Sequence, residues 1–579
     1  MRDERYSQLL AAHATLEQNR SGREFPIQLL SNVEVSQLRE LLEVSLLREK
    51  INAVVSVGNF DNFLQDSLNV RNEDVVVVFW ELSRVHEHIA VDIETWPGER
   101  IEELFEHLVA CLNTFLKNIS KCRAVFFNQF SAATFSSRSL SQTTLERLAE
   151  RLNSYLEQNS PLNVWLVNME KIYMQAGIEK MASWRNFYAA SAPYSIQFMR
   201  EYVDYVGPKL REIAGKTRKV LIMDCDNTLW SGIVGEDGVD NISMSGPAMP
   251  GVVFAAIQRE IIVLKRRGVI LAICSKNNQE DVEDVFRTRG DMMIRMTDIS
   301  AKQINWSDKV ENIEKIREEL NVGLDSIVFV DDSDYEVESV RARLPSVKVY
   351  KVPTSLEEYP SLMREVAREF VRSSTTHEDE RRAEMYQEQK LREKARSDFA
   401  NLHEYLASLG LKLAIQKDVE EFVGRIAQLC QRTNQFNLTN TRYTEQEVMG
   451  FMNSEDYDVF SLSASDKFGD YGITGVALIE YREDRESALI QSFLLSCRII
   501  GRDIELAFVN FIMKTLRKVG VKTVFARYAA SDRNRQVSDF FQTLGFSVVE
   551  TDGDNKQYEI NLQKYKPSKL DYIEVCDGD

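Results

Sequence analysis

The chain is poor in what a zinc site, a disulfide frame or a membrane span requires. Six histidines and seven cysteines are spread over 579 residues. The cysteines form no CxxC pair and no His/Cys ligand grouping, so reduced thiols of a cytoplasmic protein are expected. No apolar run approaches the roughly 18 residues that a membrane helix needs. The opening MRDERYSQLL also lacks the apolar core of a secretory leader. Basic charge is short too: a formal net charge of −18 opposes non-specific nucleic-acid binding, which depends on Lys and Arg neutralising phosphates. Neither membrane nor nucleic acid is therefore expected as a partner, and any acidic partner must dock on a local basic patch. What is present, 44% hydrophobic and 28% charged residues, is the composition of a soluble globular protein. The length exceeds one core, since single cores stop growing at roughly 250 to 300 residues. Three domains are expected.

The hydrophobic pattern divides the chain accordingly. In residues 1–215 the short apolar runs AVVSVG, DVVVVFW, RAVFFNQF and NVWLVNM alternate with amphipathic stretches such as SLSQTTLERLAERLNSYLEQ. Near-continuous apolar strands between helices predict a parallel α/β sheet covered on both faces. His86 and His88 follow the second of these runs, but no carboxylate or cysteine spacing supports a metal, and they read as surface residues. Residues 216–372 repeat the alternation with strands VLIMDC, VILAICS, DSIVFVDD and VKVYKV, a doubly wound α/β pattern. Residues 373–403 are charged and read as a helical linker. Residues 404–579 carry longer strands joined by short turns, YDVFSLSASD, GITGVALIEYRED, ESALIQSFLLS and TVFARYA, beside helices IELAFVNFIMKTLRKVG and QVSDFFQTLG, which predicts a mostly antiparallel α+β domain.

In doubly wound sheets chemistry gathers at the carboxyl ends of the strands, and in the central region those ends are polar. The first ends in Asp224, Cys225, Asp226 and Thr228, and the next in Ser275, Lys276 and Asn277. Lys309 opens the helix before the third, which ends in Asp331 and Asp332 with Glu336 nearby. Clustered carboxylates repel one another unless a hard cation neutralises them, and Mg²⁺ accepts carboxylate oxygens while keeping water and substrate phosphate. Lys309 and the Ser275 hydroxyl add a positive charge and a donor for phosphate oxygens. The set reads as a phosphoryl-transfer site. About 22 residues separate Thr228 from the helix at Gly251 and about 33 separate Ser275 from Lys309, too few for a large folded cap. An open site of this kind favours a macromolecular acceptor.

DCDNT, Ser275, Lys309 and the pair Asp331 and Asp332 resemble the four motifs of haloacid dehalogenase-type phosphatases. That resemblance implies Asp224 as phosphoryl acceptor and metal ligand, Asp226 as general acid/base with its carbonyl a further ligand, and Asp332 as a metal ligand. It also implies that Asp331 binds the metal directly or through water. LIMDCDNTLWSGIVGEDG, CSKNN, FVDDSDYEVE, SCRIIGRDIE and RNRQVSDFFQTLGF are similar, more narrowly, to the FkbH-like glyceryltransferase/phosphatases of polyketide pathways. The similarity runs from about residue 165 to the end. It implies D-1,3-bisphosphoglycerate as donor, a glyceryl enzyme thioester, dephosphorylation, and delivery to the phosphopantetheine thiol of an acyl carrier protein. Ser231 and Asp334 depart from the family pattern, where glycine and proline are usual.

Cys225 has two readings. As acyl acceptor, its thiolate attacks the acyl phosphate carbonyl. As core packing, strand alternation turns it away from Asp224 and Asp226, and the two carboxylates raise its pKa. SFLLSCRIIGRDIELAFVNFIM and the last motif, with Asn534, Phe541, Gly545 and Phe546, resemble GNAT-type acyltransferases. Arg498 and Gly501 match the coenzyme A pyrophosphate turn, but Asp503 replaces a small residue and its charge opposes phosphates. A pantetheine arm arriving without its nucleotide is therefore expected, on a carrier steered by Arg498, Arg502, Arg527, Arg533 and Arg535. The first domain, Rossmann-like or SGNH-like, reads as a scaffold or docking unit. The competing reading is a Mg²⁺-dependent phosphatase of a small phosphorylated metabolite with a separate acyltransferase domain.

Overall fold

Four valines and a phenylalanine in a row, Val75–Phe79, leave a strand no face to present to water. In the computed structural model that strand is buried along its whole length. The structure describes residues 4–134, 141–370, 401–531 and 533–577, with 388, 392, 395, 396 and 399. The chain divides into two compact units, Met1–Ala214 with Tyr443–Glu447, and Gly215–Arg442 with Val448–Asp579. No helix among the described residues is long and apolar enough to cross a membrane.

The first unit holds a parallel sheet of β1 (Glu24–Ser31), β2 (Asn52–Val57), β3 (Val75–Phe79), β4 (Ala124–Asn128) and β5 (Val164–Val167), in the order β2-β1-β3-β4-β5. One apolar core lies on each face. The helix expected after SLSQ runs Thr144–Asn159, started by a capping box in which Thr143 and Glu146 satisfy each other's backbone N–H. β1 is absent from the sequence reading, because EFPIQLLS carries Pro26 and Gln28. The proline is tolerated because pairing with β3 begins only at Ile27, so its missing N–H falls where β1 has β2 alone as neighbour.

The second unit begins with β6 (Val220–Met223), β7 (Ile270–Ser275), β8 (Ile299–Ile304), β9 (Ile327–Asp331) and β10 (Lys348–Lys351). All are parallel, in the order β10-β9-β6-β7-β8. The order reverses direction at β6, so a crevice opens between the carboxyl ends of β6 and β9. β8 was not anticipated; as an edge strand it keeps only part of its length apolar. Alternation along β6 sends Leu221, Met223 and Cys225 into one core and Val220 and Ile222 into the other.

The charged linker expected at 373–403 lies mostly outside the described residues. Beyond it stand β11 (Leu411–Lys417), β12 (Phe436–Asn437), β13 (Tyr457–Asp466), β14 (Gly469–Tyr481), β15 (Ser487–Leu495), β16 (Thr523–Tyr528), β17 (Ser547–Asp552), β18 (Asn555–Asn561) and β19 (Ile573–Asp577). They form one sheet, β17-β18-β16-β15-β14-β13-β11-β19, with β12 on β15. The contacts β15·β16 and β11·β19 are parallel and the others antiparallel. The multidomain α/β and α+β architecture expected from the sequence is the one observed. QVSDFFQTLG is not one helix: a 3₁₀ turn at Arg535–Val537 is followed by a single turn at Phe540–Thr543, because Phe540, Phe541 and Phe546 all turn into the core.

Candidate active site

Asp224 follows the last residue of β6, and its N–H donates to the Val330 carbonyl at 3.0 Å, extending the ladder by one bond. The next-door strand β9 ends in Asp331. Two neighbouring strands thus stop at the same level with a carboxylate each, and Asp332 adds a third. Asp224, Asp331 and Asp332 bring one oxygen apiece to within 4.8 Å of one another. Lys309 reaches them because its helix, Lys309–Leu320, is started there by Asp308, whose carboxylate caps the Val310 N–H. The buried Lys309 ammonium stands 2.5 Å from Asp331 Oδ2 and 3.1 Å from Asp224 Oδ1.

Burial raises the Asp331 carboxyl to about 6, helped by the Asp224 charge and only partly offset by Lys309. Burial, then Asp224, also raises Asp332, which accepts a hydrogen bond from the Asn227 side chain. Burial pulls Lys309 down, but the Asp224 and Asp331 charges outweigh it and hold the ammonium protonated. The site carries more negative charge than one lysine neutralises, and the buried Asp224 Oδ1 has the Lys309 ammonium as an ion-pair partner but accepts no hydrogen bond. A small divalent cation fits such a donor set of carboxylate oxygens.

Asp226 stands apart from this trio. Its Oδ1 accepts from Trp230 Nε1 at 2.8 Å and the Val234 N–H at 3.1 Å, and its Oδ2 from Asn277 Nδ2 at 2.9 Å. Burial is the main cause that raises its pKa. Asn277 also donates to Ser275 Oγ at 3.1 Å, tying the ends of β6 and β7 together. Lys276 is half-exposed and pairs with Glu336 at 2.7 Å. The Thr228 side chain is fully buried, and its carbonyl accepts from the Tyr359 hydroxyl at 3.0 Å. Trp230, Asn227 and Tyr359 escaped the sequence reading; the signal for Trp230 was a tryptophan four residues after Asp226. No domain is inserted between Leu229 and Pro250, which hold one helical turn at Val234–Asp237 and a bridge between Ser231 and Ser243. Asp334 is the first residue of its helix, a position at which the N–H has no helical partner in any case and proline would be tolerated.

Cys225 and Arg502 are buried, and Arg498 stands at the other edge of the central sheet. Cys225 has no exposed surface and packs with Leu221 and Met223. Burial, then the Asp224 charge, pushes its thiol well above the usual range, against a hydrogen bond with Ser275. As the strand stands, the thiol is enclosed in the core beside the Ser275 hydroxyl. Arg502 is not a surface cation either: it is buried, bonded to the Tyr471 hydroxyl, with its guanidinium 5.0 Å from the centre of that ring. Arg498 is half-buried and lines a cavity at the opposite edge of the central sheet.

No protein-family model matches the chain, and no curated protein matches it either. Among solved structures, the chain is similar to the N-terminal part of a Bacteroides fragilis protein containing a phosphatase domain, in complex with Mg. The identity is 22% and the TM-score 0.55, over 64% of this chain and all of that one. Two shorter matches are to the ribosomal-protein-S18-alanine N-acetyltransferase of Escherichia coli (14% identity, TM-score 0.21, 26% of this chain and 94% of that one) and to mutant forms of a Vibrio cholerae spermidine/spermine N-acetyltransferase (14%, 0.22, 26% and 95%). The first match establishes a shared fold over the matched part; nothing further rests on the two shorter ones.

Proposed function

We propose that the protein is a Mg²⁺-dependent phosphoryl-transfer enzyme that moves a glyceryl group from D-1,3-bisphosphoglycerate to the phosphopantetheine thiol of an acyl carrier protein and removes the remaining phosphate. The observation that carries the phosphoryl part is the Asp224, Asp331 and Asp332 cluster with Lys309 at a strand-order switch point. The cluster agrees with the Mg bound by the Bacteroides fragilis neighbour. The glyceryl part rests on the FkbH-like motifs and on a crevice with no domain inserted over it, which suits a carrier-borne arm.

Asp224, Asp331 and Asp332 would hold Mg²⁺, which would supply charge neutralisation for the transferring phosphoryl group. The chain's own groups do the rest. An Asp224 oxygen attacks phosphorus, the phosphorus–oxygen bond to the glyceryl hydroxyl breaks, and Asp226 protonates the leaving alkoxide. Burial raises Asp226 in the direction that a general acid working near neutral pH needs. Asp226 then takes a proton from the water that cleaves the acyl phosphate on Asp224. Lys309 and Ser275 hold the phosphoryl oxygens.

The buried Cys225 favours direct delivery over an enzyme thioester. The arm's thiolate attacks the acyl carbonyl, the carbon–sulfur bond forms and the carbon–oxygen bond to phosphate breaks, with inorganic phosphate leaving. Intact-mass measurement of a holo carrier incubated with the protein, D-1,3-bisphosphoglycerate and Mg²⁺ tests this: a glyceryl adduct on the carrier is expected. Phosphate release from small phosphorylated metabolites with no adduct would instead support the plain phosphatase, the reading that an open crevice and a buried thiol also fit.

A further inference from the structure

Of the six tryptophans in the chain, Trp306 is the most exposed, with 70% of its surface open, and it belongs to neither core of the central sheet. Tyr335 is alike, at 72%. Large rings left in water forgo the burial that normally stabilises them, and exposed aromatics beside a crevice mark a contact surface. Both lie at the carboxyl edge that carries Asp224. Trp306 follows the end of β8 by two residues, and Tyr335 is the second residue of the helix Asp334–Arg343 after β9. In the order β9-β6-β7-β8 they extend from the two outer strands, with Asp224 and Ser275 at the ends of the strands between. Three strand spacings of roughly 4.8 Å make about 14 Å of sheet, a span that suits an extended chain.

The Trp306 ring is held in place. Its Nε1–H donates to Asn278 Oδ1 at 3.0 Å, and Asn278 Nδ2 in turn donates to Asp281 Oδ2 at 3.0 Å. Its loop is also tied to the crevice: the Asn305 N–H donates to the Ser275 carbonyl at 3.1 Å, and Asn277, next to Asn278, donates to Asp226 Oδ2 at 2.9 Å. Tyr335 adjoins Glu336, which pairs with Lys276 at 2.7 Å, and the Lys276 ammonium stands 6.0 Å from the centre of the Tyr335 ring. A ring fixed before binding grips a ligand at little further entropic cost. The cations beside Tyr335, Lys276 and Lys351, are already paired, with Glu336 and Asp334. Ring faces next to neutralised cations suit a ligand segment that is uncharged and partly apolar, built of alkyl and amide groups, and do not suit a second phosphate.

We infer, on the phosphoryl-transfer reading of the crevice, that Trp306 and Tyr335 bind the uncharged arm of a phosphate ester carried on pantetheine, and so select the arm-borne ester over the free one. An Asp224 oxygen then takes the phosphoryl group, the phosphorus–oxygen bond to the glyceryl oxygen breaks and Asp226 gives that oxygen its proton. The carbon–sulfur bond of the thioester stays intact. Phosphate is thus removed after the arm has been loaded.

Phosphate release by the full chain with Mg²⁺, measured from the 3-phosphoglyceryl thioester of pantetheine and from free 3-phosphoglycerate, tests the selection. The unmodified protein is expected to favour the thioester in kcat/KM. Trp306→Ala with Tyr335→Ala is expected to lose at least about tenfold of that preference through KM, the order that truncating aromatic contacts costs. Phenylalanine at both positions keeps a ring face and should restore most of it. Both side chains are exposed, so the fold should persist by circular dichroism. Equal kcat/KM for the two esters in the unmodified protein, a preference that alanine leaves intact, or a loss that phenylalanine leaves unrestored would each overturn the role of the rings while the phosphatase reading stands. No phosphate from either ester would overturn that reading and the role of the rings with it.

Discussion

The Lys309 ammonium is buried 2.5 Å from Asp331 Oδ2. Removing one member of a buried ion pair leaves the other charge uncompensated, at about 3–5 kcal/mol. Lys309→Gln is expected to destabilise the metal-free protein by that order and to abolish phosphate release. Added Mg²⁺ should recover part of the stability, because it supplies the missing positive charge. Urea denaturation with and without Mg²⁺ reads both, and equal stability in the two conditions would mean that the carboxylates do not share a cation.

Asp224→Asn and Asp226→Asn each keep volume while deleting an oxygen that the chemistry uses. Phosphate release should fall at least about a hundredfold in either, with the far-ultraviolet circular dichroism unchanged. Retention of full phosphate release in one of them would remove that residue from the mechanism.

Burial and the Asp224 charge raise Asp331 to about 6, above its unfolded value near 4. Between those pH values the folded protein binds more protons than the unfolded chain, so this group's contribution to stability declines as pH rises through the window. The Asp331 contribution to the stability of the metal-free protein is therefore expected to be larger at pH 4.5 than at pH 6.5, and Asp331→Asn should remove that part of the pH dependence. Denaturation midpoints of both proteins at the two pH values check it; parallel pH profiles would contradict it.

Cys225 lies in the core beside Leu221 and Met223. Cys225→Ala should cost about 1–2 kcal/mol, the loss of one small buried group plus its cavity, and should leave glyceryl loading of the carrier intact. Loss of loading at unchanged stability, together with an adduct on the unmodified protein that hydroxylamine removes, would reinstate the enzyme thioester.

The parallel strands of the first two sheets were legible because a strand buried on both faces must be apolar throughout, and few other segments are. β1 and β8 were not, since Pro26 and the polar residues of ISAKQI depend on which side of the strand has a neighbour. Neighbour relations belong to the sheet and are not written into the strand.

The same division runs through the site. Sequence alone determined that Asp224, Ser275 and Asp331 stand at strand ends and that Lys309 opens a helix, because strand length and helix capping are local and were readable in VLIMDCD, VILAICS and SDKVE. Only the tertiary structure decided that Asp224, Asp331 and Asp332 share one cluster, since β9 pairs with β6 across more than a hundred residues of chain. It also turned Cys225 into the core, buried Arg502 under Tyr471, and brought Lys219, Arg432 and Arg498 to one cavity at the far edge of the sheet. The physical reason is that a side chain's direction follows from local backbone geometry, whereas its surroundings are set by segments distant in sequence.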